Sequence, residues 1–195
     1  MGFLQSLFTP KEKIGFEPFT RFIVGELVKN KPLDLSIVDQ DNVITVEEKD
    51  KIHAELEYFR VILLMFLLMY KETFWKKSYT SEEIGKAVGI CYGLAYRDMG
   101  MDQANLEKKM ETLNEKIDYY FNYISSIDEK DVEEKGVYFH LCSCFSDYIL
   151  NSATESYADP AFVSKKFTVF DIAKQTYQNS EIGFNTMIKG LEFTD

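Results

Sequence analysis

The stretch Val61 to Tyr70 reads VILLMFLLMY, ten apolar or aromatic residues without a charge, bracketed by Arg60 and Lys71. A helix needs about 20 such residues to cross a bilayer, so this segment has to be hidden inside protein. It continues a periodic run. Thr45-Val46-Glu47-Glu48 has the form of a capping box, with Glu48 at the third helical position. From there Ile52, Leu56, Phe59, Leu63, Phe66 and Tyr70 recur at steps of four and three, a heptad seam. The pattern predicts a helix over 46–77. Because that helix becomes apolar nearly all round past Val61, it belongs at the centre of a bundle.

The other segments are predicted to pack around it. Pro10 to Asn30 is expected to be helical with a break near Pro18, with Phe19, Phe22, Ile23 and Leu27 on one face, and Lys31-Pro32 ends it. In the loop that follows, Asp39 and Asp41 resemble the start of a calcium loop. Val43 stands at the next ligand position and Ile44 where glycine is required, so no calcium site is assigned. Ser81 to Met99 forms a helix capped by Thr80 or Ser81 and stopped by Gly100. Asp102 opens another, whose seam is Leu106, Met110, Leu113, Ile117, Tyr120, Ile124 and Ile127. The 46–77 helix is a mate of matching length for it. Three further helices are expected over Asp131–Thr154, Asp159–Gln178 and Glu181–Leu191. The expected fold is all-α, a bundle of six or seven helices around a long, largely buried central helix, in a single domain over 1–195.

Composition agrees. With 195 residues, 46 % of them hydrophobic, the chain can bury a core without staples. Only four prolines and ten glycines interrupt it. The three cysteines, Cys91, Cys142 and Cys144, imply no disulfide framework and fit a reducing cytoplasm. The opening MGFLQS matches the myristoylation pattern at Gly2 and Ser6, but no polybasic patch supports an anchor. The plainer expectation is a hydrophobic arm, Met1 to Phe8, docked on the domain. No membrane span and no signal peptide are expected.

The net charge of −10 is unevenly spread. Residues 101–160 carry 5 basic and 13 acidic side chains, a net of −8, against −2 for residues 1–100. Such a stretch disfavours phosphate backbones and anionic membrane and suits a basic partner. Glu107, Glu111, Glu115 and Asp118 lie off the 106–127 seam and are the candidate partner-binding residues.

Signatures of catalysis are missing: the chain has no GxxxxGK[ST], GxSxG, HExxH or CxxC. With His53 and His140 as its two histidines, it lacks the paired Glu-x-x-His of a di-metal bundle. His140 and Cys144 share a helix face at i and i+4 and are weak metal candidates; Cys142 points away, so the helix offers fewer ligands than a structural zinc site needs. No cofactor is expected. Gly85, Gly89 and Gly93 recur every four residues, a smooth face suited to close helix packing.

The same segment, TSEEIGKAVGICYGLAYRDM over Thr80 to Met99, resembles the helix-turn-helix of bacterial transcription regulators. In that likeness Ile84 and Val88 are first-helix core positions, Gly85 is the small residue at the crossing, Gly89 is the turn glycine and Ile90 the turn hydrophobe. Cys91 caps the second helix, which ends at Tyr96-Arg97-Asp98. The resemblance implies DNA contact through Tyr92 and Arg97. It covers about a tenth of the chain, and Tyr92, Gly93 and Ala95 are poor base readers.

The expected function is therefore that of a non-enzymatic helical interaction or regulatory protein, of adaptor or toxin-neutralising type, which meets a basic protein through its acidic surface. A helix-turn-helix regulator using residues 80–99 is the second reading, and a bundle holding an apolar small ligand near the glycine face is the third. Nucleic acid is disfavoured as a partner, and a homo-oligomer is compatible with the seams.

Overall fold

The computed structural model describes residues 11–30, 33–39, 42–70, 78–151 and 159–194, without the side chains of Ile37 and Tyr70. The expected arm over Met1 to Phe8, the Lys31-Pro32 stop and the helix ends near Lys77 and Thr154 lie outside the described residues. In chain order the elements are β1 (Glu12–Ile14), α1 (Phe16–Lys29), α2 (Val46–Tyr70), α3 (Ser81–Asp98), α4 (Gln103–Ser125), α5 (Glu129–Lys135), α6 (Val137–Leu150), α7 (Pro160–Ile188) and β2 (Leu191–Phe193). A short 3₁₀ turn, Leu35–Ile37, lies between α1 and α2. Seven α-helices among the described residues make this an all-α bundle.

The central helix behaves as its sequence demands. At its start the Thr45 backbone N–H donates to Glu48 Oε2 at 2.8 Å, while the Glu48 N–H donates to Thr45 Oγ1 at 3.2 Å. These reciprocal bonds satisfy two of the donors that every helix start leaves open. Farther on, α2 separates two apolar clusters. Val61, Leu64, Met65, Leu67 and Leu68 face a cluster built with α1, α3, Leu106 and Leu113. Ile52, Leu56, Phe59, Ile62, Leu63 and Phe66 face a second cluster built with Tyr120, α6 and α7. A helix that is a wall between two cores has no solvent side, which is why residues 61–68 are all buried.

Thr80 and Glu83 form a second capping box for α3, and Gly100, at φ +84°, follows its end. Asp102 caps α4 by accepting from the Asn105 N–H at 3.0 Å. The α4 seam is intramolecular: Leu106 and Leu113 join the first cluster and Tyr120 the second, and Phe66 and Phe121 meet with ring centroids 4.8 Å apart.

Four expectations are corrected. Pro18 does not break α1; it sits in the first turn, where no intrahelical N–H is missed. Phe22 is 52 % exposed rather than sharing the buried face of Phe19 and Ile23. The segment predicted as one helix from Asp131 is two, parted at Gly136, whose φ of +82° no helix accommodates. Conversely, the two helices predicted over 159–191 are one, and the chain continues into β2. That strand pairs in parallel with β1, Ile14 opposite Phe193, so the two ends of the described chain are joined. The Phe193 ring meets Phe19 edge-on at 5.2 Å and seals the junction. Asp39 has a structural role: its buried carboxylate accepts from the Val43 N–H at 2.8 Å and pairs with Lys49 at 2.8 Å.

Candidate functional site

The exposed face of α4 follows from how the helix spends its charges. Glu107, Glu111, Glu115 and Asp118 are all exposed, on the side away from Leu106, Leu113 and Tyr120. Glu107 accepts a hydrogen bond from Gln103 within the helix at 2.8 Å. Glu111, Glu115 and Asp118 form no ion pair among the described residues. Two of the lysines of α4 point inward instead. Lys109 Nζ lies 2.9 Å from Glu57, and Lys116 Nζ lies 2.5 Å from Glu55. The helix thus directs those two cations toward α2, Lys116 buried and Lys109 partly so, and leaves its carboxylates in solvent.

The inward lysines belong to a polar network between α2, α3 and α4 that sequence reasoning missed. Glu55 also accepts from the Tyr120 hydroxyl at 3.2 Å, and the Lys116 ammonium lies 3.6 Å from the centre of the Tyr148 ring. Glu57 accepts from the hydroxyls of Tyr92 and Tyr96 and from Lys109. Burial first, and then the Glu57 carboxylate, push both tyrosine phenols above their ordinary values, so they remain O–H donors. The buried Glu55 and the partly buried Glu57 are both met by N–H and O–H donors, as charge withdrawn from water requires. The sequence carries no signal for this pairing, because Glu55 and Glu57 flank an apolar seam as solvated residues commonly do.

Beside the acidic face runs an open groove of about 580 Å³ between α3 and α4, lined by Gly89, Ile90, Gly93 and Leu94 on one side and Glu107, Met110 and Glu111 on the other. Ile90 is 65 % exposed there. The glycine face does not bring a second backbone close, contrary to expectation. A Cβ on Gly89 would lie 3.9 Å from the terminal methyl of Met110, one on Gly93 3.4 Å from the Met110 sulfur, and one on Gly85 3.4 Å from the Met65 methyl. These are ordinary contacts with flexible side-chain ends.

The helix-turn-helix expectation is also corrected. Residues 81–98 form one helix that passes through Gly89 without a turn. Tyr92 is fully buried, with its hydroxyl on Glu57, so it presents nothing to a base edge, whereas Arg97 is exposed.

His140 and Cys144 are engaged separately. His140 Nε2 lies 3.2 Å from the Asp131 carbonyl and 3.5 Å from its carboxylate. Cys144 is fully buried, and burial foremost holds its thiol well above the ordinary range, which disfavours the thiolate a metal requires. Among the described residues no group of three or more His, Cys, Asp or Glu is arranged to hold a metal ion. No described helix is long and apolar enough to cross a membrane.

Comparison with protein-family models, with curated proteins and with solved structures returns no match.

Proposed function

We propose that this chain is a non-enzymatic helical interaction protein that receives a basic protein partner on the outer face of α4. One observation carries the reading: α4 turns Lys109 and Lys116 toward α2, where they pair with Glu57 and Glu55, and leaves Glu107, Glu111, Glu115 and Asp118 exposed along its outside. Such a face attracts a basic surface at a distance and sets its register on contact. The adjoining groove, with Ile90 at its lip, offers apolar area that charge alone would not supply. A partner of adaptor-bound or toxin type, basic and helical, fits both features.

The test is fluorescence anisotropy with a lysine-rich amphipathic helical peptide at 0.05 and 0.15 M salt. Saturable binding that weakens with salt, and that is lost when Glu107, Glu111, Glu115 and Asp118 are all changed to Lys, is the expected result. Equal binding by the reversed protein, or none by the native one, overturns the reading. Saturable binding of duplex DNA that disappears with Arg97→Ala would replace it with a nucleic-acid function.

A further inference from the structure

A second cleft, of about 420 Å³, opens between α6 and α7 under the end of α5. Its walls follow from helical spacing. Val163, Phe167 and Phe170 fall at i, i+4 and i+7 on one face of α7, and Phe139 and Ser143 fall at i and i+4 on the facing side of α6. Phe139 and Phe170 meet with ring centroids 5.4 Å apart. Yet Phe167 stays 67 % exposed and Phe139 43 %. Two large aromatic rings left open in one cleft mark a place where a ligand gains by covering them. The volume falls in the range of small-molecule sites, roughly 300–1,000 Å³.

The rim decides what kind of molecule fits. Lys135 Nζ lies 2.7 Å from Asp131 Oδ1, and Lys166 Nζ lies 2.6 Å from Asp147 Oδ1. Asp131 Oδ2 faces His140 Nε2 at 3.5 Å. Each carboxylate thus already holds a lysine ammonium, so a cationic ligand approaching either one meets the positive charge of that lysine as well. An ammonium carries three N–H donors, and the half-exposed Lys135 gives one to Asp131, so it can donate another to an anionic oxygen without losing that pair.

We propose that this cleft binds a small amphiphilic carboxylic acid, its apolar body against Phe139, Phe167 and Phe170 and its carboxylate on Lys135. The site is separate from the acidic face of α4 and does not depend on a protein partner.

Three probes with one tail and different heads test it: octanoate, octan-1-ol and octylammonium, titrated calorimetrically into the intact protein at about 0.15 M salt, where screening confines the protein's overall negative field to about 8 Å. Octanoate is expected to bind saturably at one site, at least threefold tighter than octan-1-ol and about tenfold tighter than octylammonium. Phe167→Ser should weaken the binding of octanoate and octan-1-ol alike. Lys135→Met should bring octanoate to the level of octan-1-ol and leave octan-1-ol unchanged, with far-UV circular dichroism confirming that both variants fold. Octylammonium binding as tightly as octanoate, octanoate binding that ignores Lys135→Met, or no saturable binding by any probe overturns the assignment.

Discussion

Lys116 of α4 places its ammonium 2.5 Å from Glu55 of α2, with both side chains almost wholly withdrawn from water. The Tyr120 hydroxyl donates to the other oxygen of the Glu55 carboxylate, and the face of Tyr148 lies 3.6 Å from the ammonium. Taking two charges out of water costs several kcal/mol per ion, and the pair survives only because each partner has the other. The network therefore joins α4 to α2 by mutual dependence, and its energetics can be separated from those of the apolar seam around it.

Removing one partner leaves the other buried without its counter-charge. Lys116→Met should lower the unfolding free energy by about 3–5 kcal/mol, measured by urea denaturation. The double variant Glu55→Leu, Lys116→Met should recover most of that loss, since an apolar pair of similar volume has no desolvation to offset. If the two substitutions simply add, the charges are not coupled.

The pH dependence of stability reads the same pair. Burial raises the Glu55 carboxyl above its ordinary value of 4.5, against the opposing pull of Lys116. The folded state then binds that proton more tightly than the unfolded chain does. The contribution of this carboxyl to stability is full below 4.5 and is lost as pH rises through the folded value. Glu48 behaves oppositely. Burial raises its carboxyl, but the bonds from Lys165 and Thr45 prevail and leave it lowered, so its contribution is lost as pH falls. In urea titrations from pH 4 to 8, the stability of the native protein relative to Glu55→Gln should decline as pH rises above about 4.5. A difference that stays constant with pH would contradict this assignment.

Two glycines should respond in opposite directions. Gly89 lies within α3, and an added Cβ meets only the Met110 methyl at 3.9 Å. Gly89→Ala should stabilise by about 0.5–1 kcal/mol through helix propensity alone. Gly136 holds φ at +82° between α5 and α6. Gly136→Ala should destabilise by about 1–3 kcal/mol, because a side chain there is strained whatever the space around it. Chemical denaturation of both variants checks the pair; a destabilised Gly89→Ala would mean that α3 packs more tightly at this position than its contacts indicate.

The cysteines should be inert in the folded protein. Cys91, Cys142 and Cys144 are all buried, and burial pushes the Cys142 thiol up to about 12. At pH 7.5 a maleimide should label the native protein far more slowly than the urea-unfolded chain, which should take up three equivalents. Rapid native labelling at Cys142 or Cys144, located by mass spectrometry, would show that α6 opens readily.

Local rules settled much of this structure in advance. The Thr45–Glu48 box, the Asp102 cap, the stop at Gly100 and the seam of α4 were all legible, because capping and periodicity act within a few residues along the chain. So was the burial of 61–68, since ten apolar residues in succession admit no solvated face. The exposure of Glu107, Glu111, Glu115 and Asp118 followed from the same period. What the sequence could not specify depends on partners far away in it. Glu55 and Lys116 are 61 residues apart, and nothing local distinguishes them from the solvated glutamates and lysines beside them. The pairing of β1 with β2 joins the two ends of the described chain, and the aromatic cleft needs α6 and α7 side by side. Gly136 breaks a helix while Gly85, Gly89 and Gly93 do not, although each is a glycine among helix formers. Glycine permits several backbone conformations at little cost, so packing against the neighbouring helices decides which one it takes.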